Sequence, residues 1–215
     1  MRLLVLGPPG AGKGTQAARL AKQLGVPHIA TGDIFRLAAE QQDDFGRQVR
    51  ETMERGELIS DEVTNELVRQ RLSRPDARDG FILDGYPRTV EQALALDEML
   101  GNLGTKLDMA IKFMVRGDDI VARLKGRRVC PVCKAVYQMV ANPPRNDEVC
   151  DNDGTPLVQR GDDAQADALM RRLDVYGAQT RPLYQFYGER GLLVEMDALG
   201  SPDEVFERLL ALVGR

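Results

Sequence analysis

The sequence predicts an α/β fold of three layers, a central parallel sheet flanked by helices, and three observations predict it. Short apolar runs alternate with longer stretches of helical period along most of the chain, the pattern of a parallel sheet with helices on its faces. A glycine-rich turn, Gly7-Pro8-Pro9-Gly10-Ala11-Gly12-Lys13-Gly14-Thr15, follows the first apolar run directly, where such a sheet passes the chain to its first helix. From Val129 to about Gly161 the helical period stops, and Cys, Pro, Asn, Asp and Gly recur at turn-like spacing. A small β-type insertion therefore interrupts the alternation.

Taken in order, the apolar runs place strands near residues 3–6, 28–30, 81–83, 109–114 and 192–195. Helical periodicity places helices over 15–24, 33–40, 61–72, 90–100, 118–125, 169–190 and 203–213. Thr31 and Ser60 stand as N-caps, and Ser201-Pro202 ahead of Asp203-Glu204 puts proline and acids in a first turn. No internal repeat or flexible linker is visible.

A chain of 215 residues suffices for one α/β domain with a small insertion. Its 43% apolar and 29% charged residues describe an ordinary soluble globular protein rather than a disordered one. A net charge of -4 argues against a general nucleic-acid binder, so any phosphate chemistry must be locally focused. The apolar runs fall far short of the roughly 20 residues a membrane span needs. Gly7-Pro8-Pro9 ends the first of them too early for a signal segment, and the expected location is the cytoplasm. Three cysteines leave one thiol over from any disulfide pairing, and a reducing compartment suits metal ligation better.

The glycine-rich turn has the context of a phosphate-binding loop: strand, loop, lysine, helix. Its glycines let backbone N–H groups converge on phosphate oxygens, the helix N-terminus adds its dipole, and Lys13 supplies a point charge for the β and γ phosphates. The competing interpretation is a turn that binds nothing, which the register of all four parts disfavours. The residue after Lys13 is Gly14, where the general loop has Ser or Thr, and the hydroxyl arrives one position later in Thr15. Two further segments, Thr31-Gly32-Asp33 and Asp84-Gly85-Tyr86-Pro87-Arg88-Thr89, follow the second and third strands, where open α/β sheets bind ligands. Asp33 and Asp84 are placed to hold Mg2+ or its waters beside phosphates, although Asp33 can equally serve as a helix cap.

The insertion carries Cys130-Pro131-Val132-Cys133 and then Cys150-Asp151-Asn152-Asp153, two pairs with the same two-residue gap. Three thiolates and a carboxylate, Cys130, Cys133, Cys150 and Asp153, complete a tetrahedral zinc site that leaves no position for an activated water. Such zinc is structural and folds a segment too polar to build its own core. The alternative is a redox pair with an unrelated third cysteine.

The Gly-Lys-Gly-Thr form of the loop resembles the nucleoside monophosphate kinases. With the two later motifs the chain is similar, from Met1 to its last helix, to bacterial adenylate kinases with a long lid, some of which also carry Asp as a fourth zinc ligand. That resemblance implies a core of residues 1–29, 60–125 and 162–215, a helical AMP-binding flap of 30–59 and a zinc-binding lid of 126–161. It implies transfer of the terminal phosphoryl group of Mg-ATP to AMP, with ADP as product. AMP is assigned to Thr31, Arg36, Glu57, Leu58, Ile59, Gly85, Arg88, Gln92, Arg160 and Arg172. ATP is assigned to Gly10, Ala11, Gly12, Lys13, Gly14, Thr15, Arg123, Arg127, Val136, Tyr137 and Gly200. Lys13, Arg88, Arg123, Arg160 and Arg172 are the catalytic set.

The chemistry of these side chains agrees with the assignment. Arg36 and Arg88 offer planar forks to a phosphate, and Gln92 can both donate to and accept from an adenine edge. The single histidine, His28, leaves no Ser-His-Asp or Cys-His arrangement, and it is expected to be structural. No base is required, because a phosphate monoester loses its second proton near a pKa of roughly 6. The lid of the family ends in Arg-x-Asp-Asp, present as Arg160-Gly161-Asp162-Asp163, but the stretch to the following arginine is one residue longer than the family pattern and carries Ala164-Gln165-Ala166 in place of acids. An added residue turns a helix by about 100° unless the preceding loop absorbs it, so Arg171 competes with Arg172. A UMP or CMP kinase of the same fold, and a zinc-ribbon module that binds nucleic acid, are the alternatives. The expected protein is a monomer acting on small molecules.

Overall fold

The computed structural model describes residues 1–139, 142–160, 163 and 166–214. Five parallel strands form one sheet: β1 (Arg2–Leu6), β2 (His28–Ala30), β3 (Phe81–Asp84), β4 (Met109–Met114) and β7 (Leu193–Asp197), in the order β2-β3-β1-β4-β7. β1 is central and buried on both faces, as its unbroken apolar run requires. Alternate side chains face opposite layers. Leu4 and Leu6 join Leu83, Leu96, Leu100, Leu183 and Tyr187 on one side, while Leu3 and Val5 join Leu20, Ile111, Phe113, Val205 and Leu209 on the other.

Helices α1 (Lys13–Leu24), α2 (Thr31–Ala39), α3 (Asp44–Glu54), α4 (Asp61–Leu72), α5 (Val90–Asn102), α6 (Gly117–Lys125), α7 (Ala166–Val175), α8 (Leu183–Glu189) and α9 (Pro202–Val213) make the remaining framework. α1, α2 and α5 follow the C-terminal ends of β1, β2 and β3, so the three sequence motifs gather along one edge of the sheet, beside the point where strand order reverses. The cap readings hold at Ser60, whose hydroxyl accepts from Val63 N–H, and at Ser201, which closes a capping box with Glu204. Thr31 departs from its expected role. Ala30 takes the N-cap position, and Thr31 is the first residue of α2 with its hydroxyl donating to the Gly85 carbonyl at 2.9 Å.

Two differences from the sequence expectation are larger. Residues 40–60 include a separate helix, α3, capped by Asp43; periodicity alone does not reveal it, because only Gly46 and Val49 are buried along it. The single helix expected over 169–190 is instead α7, a π-turn at Tyr176–Thr180, and α8. Pro182 has no N–H and crowds the carbonyl four residues back, and the chain widens so that Arg181 N–H donates to Tyr176 O, five residues back, at 2.9 Å.

The insertion is a second, small sheet. β5 (Arg127–Val129) pairs antiparallel with β6 (Val136–Gln138), and Val129 bridges to Val158. Among the described residues its buried cluster is Cys130, Tyr137, Cys150 and Leu157, with Ala135 packed against it. Gly161, Asp162, Ala164 and Gln165 lie outside the described residues, as does the expected boundary between lid and core.

Candidate functional site

A cleft of roughly 570 Å³ opens at the C-terminal edge of the sheet. It is lined by residues 10–15 of the glycine-rich turn, by Arg36, Leu58, Gly85 and Arg88, and by Arg123, Arg127, Val136, Tyr137, Arg160 and Arg172. Gly200, Pro202 and Val205 line it as well.

The loop takes its shape from backbone conformations that favour glycine. Gly10 has φ 81° and Gly12 φ 88°, and a Cβ at Gly10 would come within 2.9 Å of the Leu124 side chain. Gly14 is glycine for a different reason: a Cβ there would stand 3.1 Å from Asp84 Oδ2. The departure from the usual Ser or Thr thus lets a carboxylate approach the start of α1. Lys13 Nζ donates to the carbonyls of Gly7 and Pro8 at 2.8 and 2.9 Å. Burial pulls its pKa down to about 8, Asp84 opposing and the arginines Arg88, Arg127 and Arg172 assisting.

Burial alone would raise the Asp84 carboxyl, but His28, Lys13 and Arg88 together outweigh it and hold Asp84 below the ordinary carboxylate range. His28 Nε2 lies 3.5 Å from Asp84 Oδ2, and the ring borders the cleft. Asp33 also borders the cleft, exposed and paired with Arg36. Arg88 Nε donates to Gly85 O at 2.9 Å, and Arg123 donates to Ala198 O at 3.1 Å.

Sequence reasoning gave no role to Asp163, the carboxylate that organises the lid side. Its side chain is wholly buried, takes both Arg127 nitrogens at 2.6 and 2.7 Å, and accepts from Arg172 Nη1 at 2.7 Å. A charge this deep is tolerated because two guanidinium groups surround it. Burial, the nearby Arg160 and Arg172 lower the Arg127 pKa against the pull of Asp163. Arg172 faces the cleft, whereas Arg171 points to Glu57 at 3.2 Å.

The other assigned residues divide. Thr31 is buried under the Gly85 carbonyl and Gln92 lies in the packed start of α5; neither borders the cleft as described. Glu57 and Ile59 line a neighbouring groove with Asp61 and Thr89, and Leu58 borders both spaces.

In the small inserted sheet, one ligand atom from each of Cys130, Cys133, Cys150 and Asp153 lies within 4.8 Å of the others. Cys133 and Cys150 sulfurs are 3.4 Å apart, and Cys130 Sγ lies 3.3 and 3.5 Å from the two Asp153 oxygens. The edges of a tetrahedron built on zinc–sulfur and zinc–oxygen bonds are roughly 3.5–3.8 Å, so this donor set is compatible with zinc. All three cysteines are unbonded to one another, and their convergence with a carboxylate is more than a redox pair needs.

A glycine loop and half-buried lysine at the switch point of a parallel sheet, in a cleft lined by several arginines, define the class: a P-loop nucleotide-binding protein. Comparison narrows the class. The family model described as adenylate kinase matches residues 5–192, and the chain belongs to the adenylate kinase family. Among its relatives, the adenylate kinase of Caldanaerobacter subterraneus subsp. tengcongensis is 46% identical over 215 residues, 100% of this chain and 97% of the relative. That of Anaeromyxobacter sp. (strain K) is 46% identical across 100% of both chains, and that of Carboxydothermus hydrogenoformans is 48% identical over 96% of each.

Proposed function

We propose that the protein is a phosphotransferase that moves the terminal phosphoryl group of ATP to AMP, reversibly, giving two ADP. The observation that carries this reading is one cleft shared by the phosphate loop, the flap arginine Arg36, Arg88 beside β3 and the lid-side arginines Arg123, Arg127, Arg160 and Arg172. Two phosphate chains meeting there concentrate negative charge that these cations offset. The names of the relatives favour AMP over UMP or CMP as acceptor.

The residues do their work by alignment and charge stabilisation. Lys13 exchanges its contacts to Gly7 and Pro8 for the β and γ phosphates. Arg88 and Arg36 hold the acceptor phosphate, with Thr31, Leu58, Gly85 and Gln92 around its nucleoside. Asp163 fixes the planes of Arg127 and Arg172 before substrate arrives, so little reorganisation accompanies transfer. No side chain removes a proton, because the acceptor phosphate is already largely dianionic at neutral pH. Magnesium, entering with ATP, would spread the charge of the β and γ oxygens, its waters held by Asp84 and Asp33. Enclosure by flap and lid keeps water from taking the phosphoryl group.

Cys130, Cys133, Cys150 and Asp153 would hold zinc, which contributes folding energy to the lid and no step of the reaction. The protein is taken to act as a cytoplasmic monomer on small molecules and not on nucleic acid. Its net charge of -4 supports this, and among the described residues no helix is long and apolar enough to cross a membrane.

The test is ADP formation from ATP and each of AMP, UMP and CMP. AMP should be the preferred acceptor, and Arg88→Ala should lower turnover by about 100-fold or more with an unchanged thermal transition. Undiminished activity in that variant would sink the site assignment, and a preference for UMP or CMP would replace the substrate.

A further inference from the structure

The start of α5 holds a hydrogen-bond network in which each group has a single permitted role. Gln92 is 2% exposed, and both ends of its carboxamide are engaged. The Arg88 backbone N–H donates to Gln92 Oε1 at 2.8 Å, and Gln92 Nε2 donates to Asp61 Oδ1 at 2.6 Å. The second Asp61 oxygen accepts from the Thr89 hydroxyl at 2.8 Å, and that hydroxyl accepts from the Gln92 backbone N–H at 3.1 Å as it caps α5. A backbone N–H can only donate and an ionised carboxylate can only accept. Half a turn of the Gln92 amide would therefore set donor against donor at Arg88 and acceptor against acceptor at Asp61.

We propose that Asp61 is a positioning residue that sets acceptor specificity: by fixing the polarity of the Gln92 carboxamide, it makes the site select a 6-aminopurine monophosphate over a 6-oxopurine one. The proposal rests on the reading of Gln92 as the contact to the AMP base. After its two internal bonds, Gln92 retains one N–H on Nε2 and one lone pair on Oε1. Adenine presents an amino donor beside the N1 acceptor, whereas hypoxanthine presents a carbonyl acceptor beside an N1–H donor. An amide held in one polarity pairs with the first edge and opposes the second, while an amide free to turn serves both. Discrimination by hydrogen bonding is strong when the groups of the site cannot adapt. Asp61 is also the first residue of α4, directly after the Ser60 cap that ends the flap, so the same carboxylate ties the flap's exit to the base contact.

The test is steady-state kinetics of the full-length protein, with AMP or IMP varied at saturating ATP and ATP varied at saturating AMP. Asp61→Ala should raise the KM for AMP about tenfold and lower the AMP-to-IMP ratio of kcat/KM about tenfold, the worth of one hydrogen bond, with the KM for ATP unmoved. Asp61→Asn keeps the volume and one acceptor, should fall between the two, and carries the test if thermal unfolding shows the alanine variant misfolded. In a Gln92→Leu background, Asp61→Ala should add nothing to the KM for AMP. An unchanged AMP-to-IMP ratio in the Asp61 variants, where Gln92→Leu alone raises the KM for AMP, overturns the proposal and leaves the base contact standing. Gln92→Leu with an unchanged KM for AMP removes the base contact and the proposal together. A parallel rise in the KM values for ATP and AMP means Asp61 is merely structural, and it also overturns the proposal.

Discussion

In the central sheet Leu3, Leu4, Ile82, Leu83 and Ile111 are fully shielded by helices on two faces, while among the described residues the small inserted sheet, the expected lid, gathers a buried cluster of Cys130, Tyr137, Cys150 and Leu157. Two of those four are candidate metal ligands. The core can be held by apolar burial, which scales with the area removed from water. The lid has too little of it. Its backbone is set by β5, β6 and short turns, and polar groups such as the Tyr137 hydroxyl, which accepts from Asp151 N–H at 2.8 Å, fill positions that apolar side chains occupy elsewhere. One protein thus contains a segment that folds by hydrophobic contact and another whose few apolar contacts surround a donor set that the proposed zinc would cross-link.

The largest test of this contrast is to remove the metal. The purified protein should contain stoichiometric zinc, and chelation or Cys150→Ser should withdraw a contribution on the order of 10 kcal/mol from the lid without melting the sheet. Activity should then survive in the cold and fail on warming, well below the temperature at which far-ultraviolet circular dichroism reports loss of the core. Loss of activity at once and at every temperature would mean that the metal takes part in the reaction. A chelated protein with unchanged thermal inactivation would show that the lid holds itself.

A smaller effect is expected where lid and core meet. Asp163→Ala leaves Arg127 and Arg172 without the carboxylate that orients them, and removing one partner of a buried ion pair costs about 3–5 kcal/mol. Turnover should fall about tenfold or more through the lost preorganisation, while the KM for AMP changes less than kcat. If Asp163→Ala matches the parent in both stability and turnover, the two arginines are oriented by something else.

What the sequence makes legible divides along the same line. The five strands, the glycine-rich turn and the two spaced pairs Cys130 with Cys133 and Cys150 with Asp153 are written in short motifs, because each depends on local backbone geometry and on residues a few positions apart. Asp163 is different: it meets Arg127 across 36 residues, and the Gln92 to Asp61 contact spans 31. Such pairs depend on the path of the chain through the whole fold: the Arg-x-Asp-Asp motif marks Asp163 without naming its partners, and nothing near Asp61 or Gln92 announces theirs. Thr31 shows how a local rule yields to that path. It has the chemistry of a cap, yet the carbonyl of Gly85 on the neighbouring strand's loop claims its hydroxyl. Pro182 marks a break that the apolar period on both sides of it obscures. The missed helix α3 buries too little to mark a period.

The smallest effect separates what holds the core from what the core's site needs. In the proposed role Lys13 must be charged to meet phosphates, but burial has lowered its pKa from 10.5 to about 8. In the free protein, kcat/KM for ATP should fall about tenfold per pH unit above that value. Bound phosphates favour the charged form, so the matching limb in kcat should lie at higher pH. Stability runs the other way. Between about 8 and 10.5 the unfolded chain binds more protons at this residue than the folded one, so the Lys13 contribution to stability rises with pH across that window while activity declines. Lys13→Met should remove both dependences, and a thermal transition of Lys13→Met that keeps the parent's slope between pH 8 and 10.5 would assign the strain to another group.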